Sequence, residues 1–337
     1  PRPEQRYFFT SAWGAVAACA ALGTSAVGQE PIRLGMVGLD TSHVVAFTAY
    51  LNNPANDTGC RVVVGYPGGS PDMAASIDRV GNFTATLREK HGVEIVDSVE
   101  ALCGKVDGVL LESLDGRVHL EQARALIAAK KPFFIDKPVA HDLETIIEIF
   151  SLAKEQGVPC WSASSYRYGE GIARARENAD LGKIVGCDVF GSSSWTQFHP
   201  DLYLYGIHAV EALFTVMGPG CQTVRRVKTP GTDLVVGVWP DGRIGTFRDV
   251  RDAKTPGVAA VYGTQAAAFG KSSGYDPLLR EIVTFFKTKT PPIPAEETIE
   301  IYGFMSAADA SRDQGGAAIP LPEFIGAARE RVAANRR

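Results

Sequence analysis

From Ile32 onwards the sequence alternates short apolar runs with helical periods, and this alternation restricts the fold more than any other feature. The apolar runs lack the two-residue alternation of a half-exposed sheet, so we expect strands that are buried on both faces. Strands that alternate with helices pair in parallel through right-handed crossovers. Residues 31–163 are therefore predicted to form an α/β domain with a doubly wound parallel sheet. Its predicted strands are Ile32–Val37, Arg61–Gly65, Glu94–Val96, Gly108–Leu111, Pro132–Ile135 and Pro159–Ser162.

The pattern of predicted elements changes after about Tyr166, where strand-like runs follow one another without intervening helices. The dipeptide Asp241-Gly242 between two of these runs is typical of a β-hairpin turn. We predict a second domain over residues 164–325, of the α+β class, with a mainly antiparallel open sheet. A chain of 337 residues is long enough for two such cores. The predicted helices of this part are Gly171–Asn178, Gly206–Met217, Pro277–Lys287 and Glu296–Asp313.

Residues 1–29 have the composition of an export signal. Arg2 and Arg6 precede an apolar, alanine-rich run that ends in small residues, which is the pattern of a secretory signal peptide. The segment also has features of a twin-arginine signal, and Cys19 could be the acylated residue of a lipoprotein. We therefore expect an exported protein, periplasmic or lipid-anchored at the cell envelope. A membrane anchor is the alternative, although glycine, serine and threonine interrupt the run.

Composition excludes some classes of partner. The formal net charge is −4 and no basic run is present, so the clustered basic face of a nucleic-acid-binding protein is absent. The six cysteines are scattered and form no Cys-x-x-Cys pair, which argues against a disulfide framework and a thiolate zinc site.

Several motifs occur in the order that is typical of one enzyme family. Ile32–Gly38 resembles its first strand and first glycine, Asp136-Lys137-Pro138 is similar to its Glu-Lys-Pro signature, and Gly206–Glu211 resembles its Gly-x-His-x-x-Asp helix. The chain thus resembles the Gfo/Idh/MocA oxidoreductases (glucose–fructose oxidoreductase and inositol dehydrogenase). The resemblance implies an N-terminal Rossmann domain, a C-terminal sheet domain, and hydride transfer between NAD(P) and a sugar or sugar derivative. It also implies that Lys137 and His208 are the catalytic residues.

The resemblance fails at the nucleotide-binding turn. A dinucleotide-binding turn reads Gly-x-Gly-x-x-Gly, because the second glycine lets the backbone approach the pyrophosphate and the third allows close helix–strand packing. Here Asp40 and His43 stand at these two positions, and no acidic residue ends the second strand. If a dinucleotide binds, we expect its contacts at the residues that surround this turn and the next strand ends. These candidates are Gly38, Asp40, Thr41, Ser42, His43, Glu112 and Lys137.

Topology predicts that several polar residues converge. In a doubly wound sheet the first and fourth strands are neighbours and ligands bind at their carboxyl ends, which brings Asp40, His43, Glu112 and Asp115 together. Carboxylates with an imidazole could bind a divalent cation or the hydroxyls of a sugar. Equally, Asp40 or Ser42 could simply cap the following helix. The sequence alone assigns no residue as a metal ligand.

Aromatic residues before the His208 helix are expected to border the substrate, because their faces suit the apolar faces of sugar rings. The substrate candidates are Tyr166, Arg167, Trp195 and Tyr205. The leading hypothesis is an exported NAD(P)-dependent oxidoreductase that acts on a carbohydrate. The alternatives are a non-redox lyase or hydrolase on the same scaffold, with a divalent metal and weakened or lost NAD binding, and a catalytically silent carbohydrate-binding protein. We also expect a homo-oligomer that forms through the C-terminal sheet.

Overall fold

The computed structural model describes residues 30–192, 197–251 and 257–337. The export signal predicted for residues 1–29, including Cys19, lies outside the described residues, as does Trp195. Within the described ranges, no helix combines the length and the apolar character that a membrane span needs.

The first sheet is parallel, with the strand order β3-β2-β1-β4-β5-β6. This is the order of a Rossmann fold, and it confirms the predicted fold class of the N-terminal part. The strands are β1 (Ile32–Val37), β2 (Cys60–Tyr66), β3 (Glu94–Ile95), β4 (Gly108–Leu111), β5 (Phe133–Ile135) and β6 (Cys160–Ser162). The helices between them are α1 (Ser42–Leu51), α2 (Ala74–His91), α3 (Val99–Cys103), α4 (His119–Ala128) and α5 (Leu143–Glu155).

The central strands of this sheet are buried on both faces, as their uninterrupted apolar sequences predict. All residues of β4 and β5 are buried. Two of the glycines permit close packing against them: a Cβ at Gly35 would lie 2.4 Å from Leu102, and one at Gly108 would lie 2.5 Å from Phe286. Phe286 belongs to a helix late in the chain, so the C-terminal half of the sequence also covers one face of the N-terminal sheet.

The second sheet is mixed but mainly antiparallel, with the order β12-β11-β7-β10-β9-β8-β13. Within this second sheet, β7–β10 is the one parallel pair among the described strands. The strands are β7 (Ile184–Gly191), β8 (Thr223–Lys228), β9 (Thr232–Val238), β10 (Ile244–Val250), β11 (Val258–Gly263), β12 (Ala267–Lys271) and β13 (Ile319–Pro320). The helices of this half are α6 (Gly206–Met217), α7 (Asp276–Thr288), α8 (Ala295–Asp313) and α9 (Leu321–Asn335).

Three sequence-based expectations differ from the structure. The helix predicted over Gly171–Asn178 is replaced by turns that include one short 3-10 turn, Ala175–Glu177, and a second 3-10 turn, Ala179–Leu181, follows this range. Strand β8 was not predicted. Its buried residues Val224 and Arg226 alternate with more exposed ones, but the buried arginine interrupts the apolar period that would indicate a strand. Helix α9 was not predicted either.

One face of the second sheet is covered and the other is open. Helices α6 and α8 pack on the inner face, where Gly237 and Gly245 leave room for Phe304 and Leu213. The outer face carries apolar side chains that are exposed by between 40% and 77%, which is the surface of a typical protein interface. These residues are Val227, Ile244, Tyr262 and Phe269.

We predict that this open face joins two or more copies of the chain. Val227→Lys combined with Ile244→Lys places two charges on the face and is expected to lower the assembly state measured by light scattering. Ile77→Lys is the matched control, because Ile77 is an equally exposed apolar residue on α2. An unchanged assembly state in the double variant would contradict the prediction.

Candidate active site

A cavity of about 530 Å³ lies between the carboxyl edge of the parallel sheet and the inner side of the second sheet. Thr41, Ser42 and His43 reach it from the first turn of α1, and Lys137 reaches it from the loop after β5. The other side is formed by His208 and its neighbours on α6 and by the ends of β7 and β10. We call this space the site cavity.

Lys137 lies almost entirely inside the protein, with 7% of its surface exposed. Its ammonium group stands 5.1 Å from the centre of the Tyr205 ring, a cation–π contact. Within the described part of the chain it makes no salt bridge shorter than 4 Å. Burial lowers the pKa of Lys137, although the nearby carboxylates of Asp136 and Glu112 act in the opposite direction. A buried lysine without a close partner is suited to exchange a proton with a ligand.

His208 is held in place by Ser164. The Nδ1 atom of His208 lies 2.7 Å from the Ser164 hydroxyl oxygen, which also accepts a hydrogen bond from the Tyr166 amide. The ring packs on Tyr166 with 5.1 Å between the ring centres. Burial, followed by the positive charges of Lys137 and His43, lowers the pKa of His208 well below its usual value. The imidazole is therefore neutral near pH 7, and its Nε2 atom is free of the Ser164 contact.

Beside Lys137 lies a second group of ionisable side chains. Nδ1 of His43 is 2.6 Å from Oδ2 of Asp136, and potential ligand atoms of His43, Glu112 and Asp136 all lie within 4.8 Å of one another. Glu112 is fully buried, and neither of its carboxylate oxygens has a hydrogen-bond partner among the residues that the structure describes. Burial raises the pKa of Glu112 well above its usual range, and the charges of Asp136 and Asp40 add to this shift. Burial alone would raise the pKa of Asp136, but His43 and then Lys137 lower it.

Asp40 does not face the site cavity. Its carboxylate is buried and accepts hydrogen bonds from the Ser76 hydroxyl (2.6 Å) and the Leu114 amide (2.9 Å). Burial raises the pKa of Asp40, and these two hydrogen bonds counteract that rise. The expectation that Asp40 meets a pyrophosphate is thus wrong for this structure, because its side chain joins α2 to the loop after β4.

The segment Pro67–Met73, which we call the β2 loop, crosses the carboxyl end of β1. The amides of Gly38 and Leu39 donate to the carbonyls of Tyr66 (2.9 Å) and Pro67 (2.7 Å). A Cβ at Gly38 would lie 2.2 Å from the Ser113 hydroxyl oxygen, so the loop after β4 lies directly on this glycine. The backbone at Gly38 is left-handed as well, which favours glycine there.

An ion-pair clamp holds the β2 loop against the loop after β4. The guanidinium of Arg117 donates to both oxygens of Asp72 (2.9 and 2.8 Å) and to Asp115 (2.7 Å). Burial raises the pKa of Asp115, but hydrogen bonds from Arg117 and Ser70 outweigh it and lower the pKa to about 2. Below the clamp, Met73 and Leu114 pack with Leu204 in a small buried cluster.

These contacts test whether the crevice suits a dinucleotide. In a Rossmann fold the adenosine half lies across the end of β1, between the loops after β2 and β4. Here the β2 loop and the Arg117 clamp occupy that space, while Asp40 stands where a glycine would admit the pyrophosphate. The residues therefore do not fit the adenosine half of NAD(P). The first turn of α1 does reach the site cavity, and its amides and positive dipole suit a smaller anionic group.

The other sequence-predicted residues fall into two groups. Tyr166 and Tyr205 line the site cavity together with Thr41, Ser42, His43, Lys137 and His208. Gly38, Asp40 and Glu112 lie behind its wall, and Arg167 lies outside it. Arg167 is a half-buried ion-pair partner of Glu211 (2.5 Å) and Glu297 (2.6 Å), so its predicted substrate role is not supported. The helix cap is Thr41, whose hydroxyl accepts from the His43 amide, rather than Asp40 or Ser42.

Sequence reasoning missed four residues of the site: Arg79, Ser164, Tyr275 and the role of Asp136. Arg79 and Tyr275 line the cavity from α2 and from the segment before α7. Tyr275 packs on His43, with 4.8 Å between the ring centres. Neither position carries a local motif. Asp136 was recognisable from its place before Lys137 at a strand end, but its partner His43 lies 93 residues away.

Residues 32–164 match the sequence model GFO_IDH_MocA, described as an oxidoreductase family with an NAD-binding Rossmann fold. Among curated protein sequences there is no match. The shared fold is evident in solved structures that are each less than 20% identical to this chain.

Myo-inositol 2-dehydrogenase from Lactobacillus plantarum is 15% identical, with a TM-score of 0.71 over 86% of this chain and 99% of that one. Scyllo-inositol dehydrogenase from Lactobacillus casei, solved with NAD(H) and scyllo-inositol, is 13% identical, with a TM-score of 0.68 over 87% and 99%. An oxidoreductase from Agrobacterium radiobacter, in complex with NAD+, L-tartaric acid and magnesium, is 12% identical, with a TM-score of 0.69 over 88% and 100%.

The lowered pKa of His208 predicts a pH-dependent stability. Because the folded pKa lies below the unfolded value of about 6.5, the unfolded chain binds the proton first, and the free energy of unfolding falls as the pH drops below that value. His208→Asn removes this contribution. We expect the melting temperature to fall less between about pH 7.5 and about pH 5.5 in the variant than in the native chain. His119 and His199, whose pKa values burial also lowers, are common to both proteins and cancel in the comparison. Equal pH slopes would contradict a neutral His208.

Proposed function

We propose that this chain, whose N-terminal domain belongs to the Gfo/Idh/MocA family, is an oxidoreductase that acts on a sugar or sugar derivative in the site cavity. The family match of residues 32–164 supports the reaction class. The observation that carries the proposal is that Lys137 and His208 face the same cavity from opposite domains. Both are groups that can exchange a proton with a hydroxyl or carbonyl oxygen.

Lys137 and His208 would have different roles at the reacting oxygen of the substrate. Lys137 would donate a hydrogen bond to this oxygen, with its proton affinity lowered by burial. His208 would take the proton of a substrate hydroxyl, since its imidazole is neutral near pH 7. Ser164 is a positioning residue, because its hydroxyl fixes the orientation of the His208 ring.

The lining of the cavity favours a small, polar and anionic substrate. Tyr166 and Tyr205 offer aromatic faces for a sugar ring, while Arg79, Lys137 and the N-terminus of α1 give positive charge. A sugar derivative with a carboxylate or phosphate group fits this combination. The inositol and tartaric acid complexes of the structural neighbours are consistent with ligands of this size.

The contacts around the expected position of the cofactor lead to a second candidate function. The family description and the NAD complexes of the neighbours support NAD(P). The β2 loop and its Arg117 clamp, however, occupy the adenosine position. If this loop stays in place, the alternative is a non-redox lyase or hydrolase, in which Lys137 and His208 perform acid–base chemistry without a dinucleotide, although the family match and the structural neighbours favour the oxidoreductase. Export through a signal in residues 1–29 remains part of the proposal on the sequence pattern alone.

We predict that Lys137→Ala and His208→Asn each lower turnover by about 10²–10⁴, because each removes a group that exchanges a proton with the substrate. The assay is a panel of inositols, aldonates and sugar phosphates, each with NAD, with NADP and without either. Lys130→Ala is the control, since Lys130 is an exposed lysine of the same domain. A loss below tenfold in a variant with a normal melting curve would remove that residue from the catalytic group.

A second prediction separates the redox and non-redox candidates. If a dinucleotide must displace the β2 loop, then Asp72→Ala combined with Arg117→Ala opens the clamp, and calorimetric titration should find NAD(P) binding at least tenfold tighter than in the native chain. Arg124→Ala is the control, since it breaks only an exposed ion pair with Glu148. Absence of NAD(P) binding in both proteins, with turnover in the assays that lack a dinucleotide, would exclude the NAD(P)-dependent reaction.

A further inference from the structure

Glu112 is the least compensated charge in the described structure. Its side chain has no exposed surface, and both carboxylate oxygens lack a hydrogen-bond partner. Other buried acids of this domain are compensated: Asp40 has a hydroxyl and an amide, and Asp136 has His43. An ionised carboxylate without a partner costs several kcal/mol in a protein interior. The position therefore requires either a proton on Glu112 or a cation beside it.

The neighbours of Glu112 supply further ligand atoms. Glu112 follows β4, Asp136 follows β5 and His43 lies in the first turn of α1, so three adjacent strands bring the three side chains to one point. One ring nitrogen of His43 and one oxygen of each carboxylate lie within 4.8 Å of one another. We propose that His43, Glu112 and Asp136 bind a divalent cation at the floor of the site cavity.

The distances require only a small contraction. A zinc ion lies about 2.0–2.2 Å from nitrogen and oxygen ligands, so two ligands of one ion are at most about 4.4 Å apart. The separation of at most 4.8 Å therefore has to close by about 0.4 Å, which side-chain rotation can supply. The elements that carry the ligands are held by β-sheet pairing, so the three ligands are positioned before a cation arrives.

The donor set identifies the class of cation. One imidazole nitrogen with two carboxylate oxygens suits first-row divalent ions such as Mn²⁺ or Zn²⁺, whereas a site for Mg²⁺ or Ca²⁺ usually consists of oxygen ligands alone. Since His43 lines the site cavity, the remaining coordination positions would open towards the substrate. The ion would then polarise a hydroxyl, carboxylate or carbonyl oxygen that enters the cavity. This site does not depend on the redox reaction proposed above.

The local charge supports a cation. Asp40, Glu112 and Asp136 are all buried. The positively charged side chain near them is that of Lys137, which faces the site cavity. With all three acids ionised and Lys137 protonated, a net charge of about −2 is left at this point. A divalent ion would balance it. The competing explanation is that Glu112 holds a proton and stays neutral.

The test is metal binding by the purified full chain after treatment with EDTA and dialysis. We expect calorimetric titration with Mn²⁺ and with Zn²⁺ to show one site per chain. At about 100 times the Kd, either ion should raise the melting temperature by about 5 °C. Glu112→Gln keeps the shape of the side chain but removes the charge, and is expected to weaken binding at least tenfold. Without a cation, Glu112→Gln should melt at a temperature no lower than that of the cation-free native chain, because the carboxylate that it replaces has no hydrogen-bond partner.

The matched control is Glu211→Gln, which makes the same change at another buried glutamate, one that is paired with Arg167 instead. It is expected to keep the affinity for the ion. The absence of binding by the native chain, or equal affinities of the native chain and Glu112→Gln, would overturn the proposed site. Neither result bears on NAD(P) binding, so failure of this inference is distinguishable from failure of the proposed reaction.

Discussion

The structure depends on the burial of charge at the carboxyl edge of one parallel sheet. Asp40, Glu112 and Asp136 follow three adjacent strands and are each at most 1% exposed. Buried carboxylates need partners, and much of the surrounding structure supplies them. Ser76 and the Leu114 amide compensate Asp40, and His43 compensates Asp136. Glu112 has no such partner among the described residues, and this is the position where we propose a cation.

The same polar contacts determine the shape of the cavity. The Asp40 bridge and the Arg117 clamp fix the loops after β2 and β4 across the end of β1, so the open space begins only at Thr41. On the far side, the Gly116 amide donates to Nε2 of His199 at 3.0 Å, which joins the loop after β4 to the second domain. The cavity therefore has the size of a small substrate at the domain junction and does not continue along the crevice.

Much of the fold was predictable, because local patterns encode it. The limits of β1, β4 and α6 agree with the sequence-based assignments, since each combines a clear apolar period with glycine or polar residues at its ends. Strand β8 was not predictable in this way: Arg226 points into the core, where it pairs with Asp201, Asp233 and Asp309. Two of those partners, Asp201 and Asp309, lie 25 and 83 residues away in the sequence. The period of apolar residues cannot reveal a strand whose buried side chain is charged.

The site was predictable in its residue types but not in its contacts. Strand-end positions identified His43, Glu112 and Lys137, because parallel strands bring their carboxyl ends to one edge. Whether a carboxylate at such an edge faces the ligand or the protein interior depends on its long-range partners. Asp40 illustrates this, because Ser76 lies 36 residues away and Leu114 lies 74 residues away. Tyr275 and Arg79 had no sequence signal, since tertiary packing alone brings them to the cavity.

The two residues that replace glycines in the nucleotide-binding turn have linked consequences. Asp40 draws the loop after β4 onto the turn, which removes the space for a pyrophosphate. His43 cannot pack as closely as glycine, and its ring instead stacks on Phe47 and meets Tyr275 edge-to-face while Nδ1 contacts Asp136. The changes that disfavour a dinucleotide thus also place an imidazole beside two buried carboxylates. A simple loss of cofactor binding would not require a buried His–Asp pair next to an uncompensated glutamate. That arrangement is the one at which we propose a divalent cation.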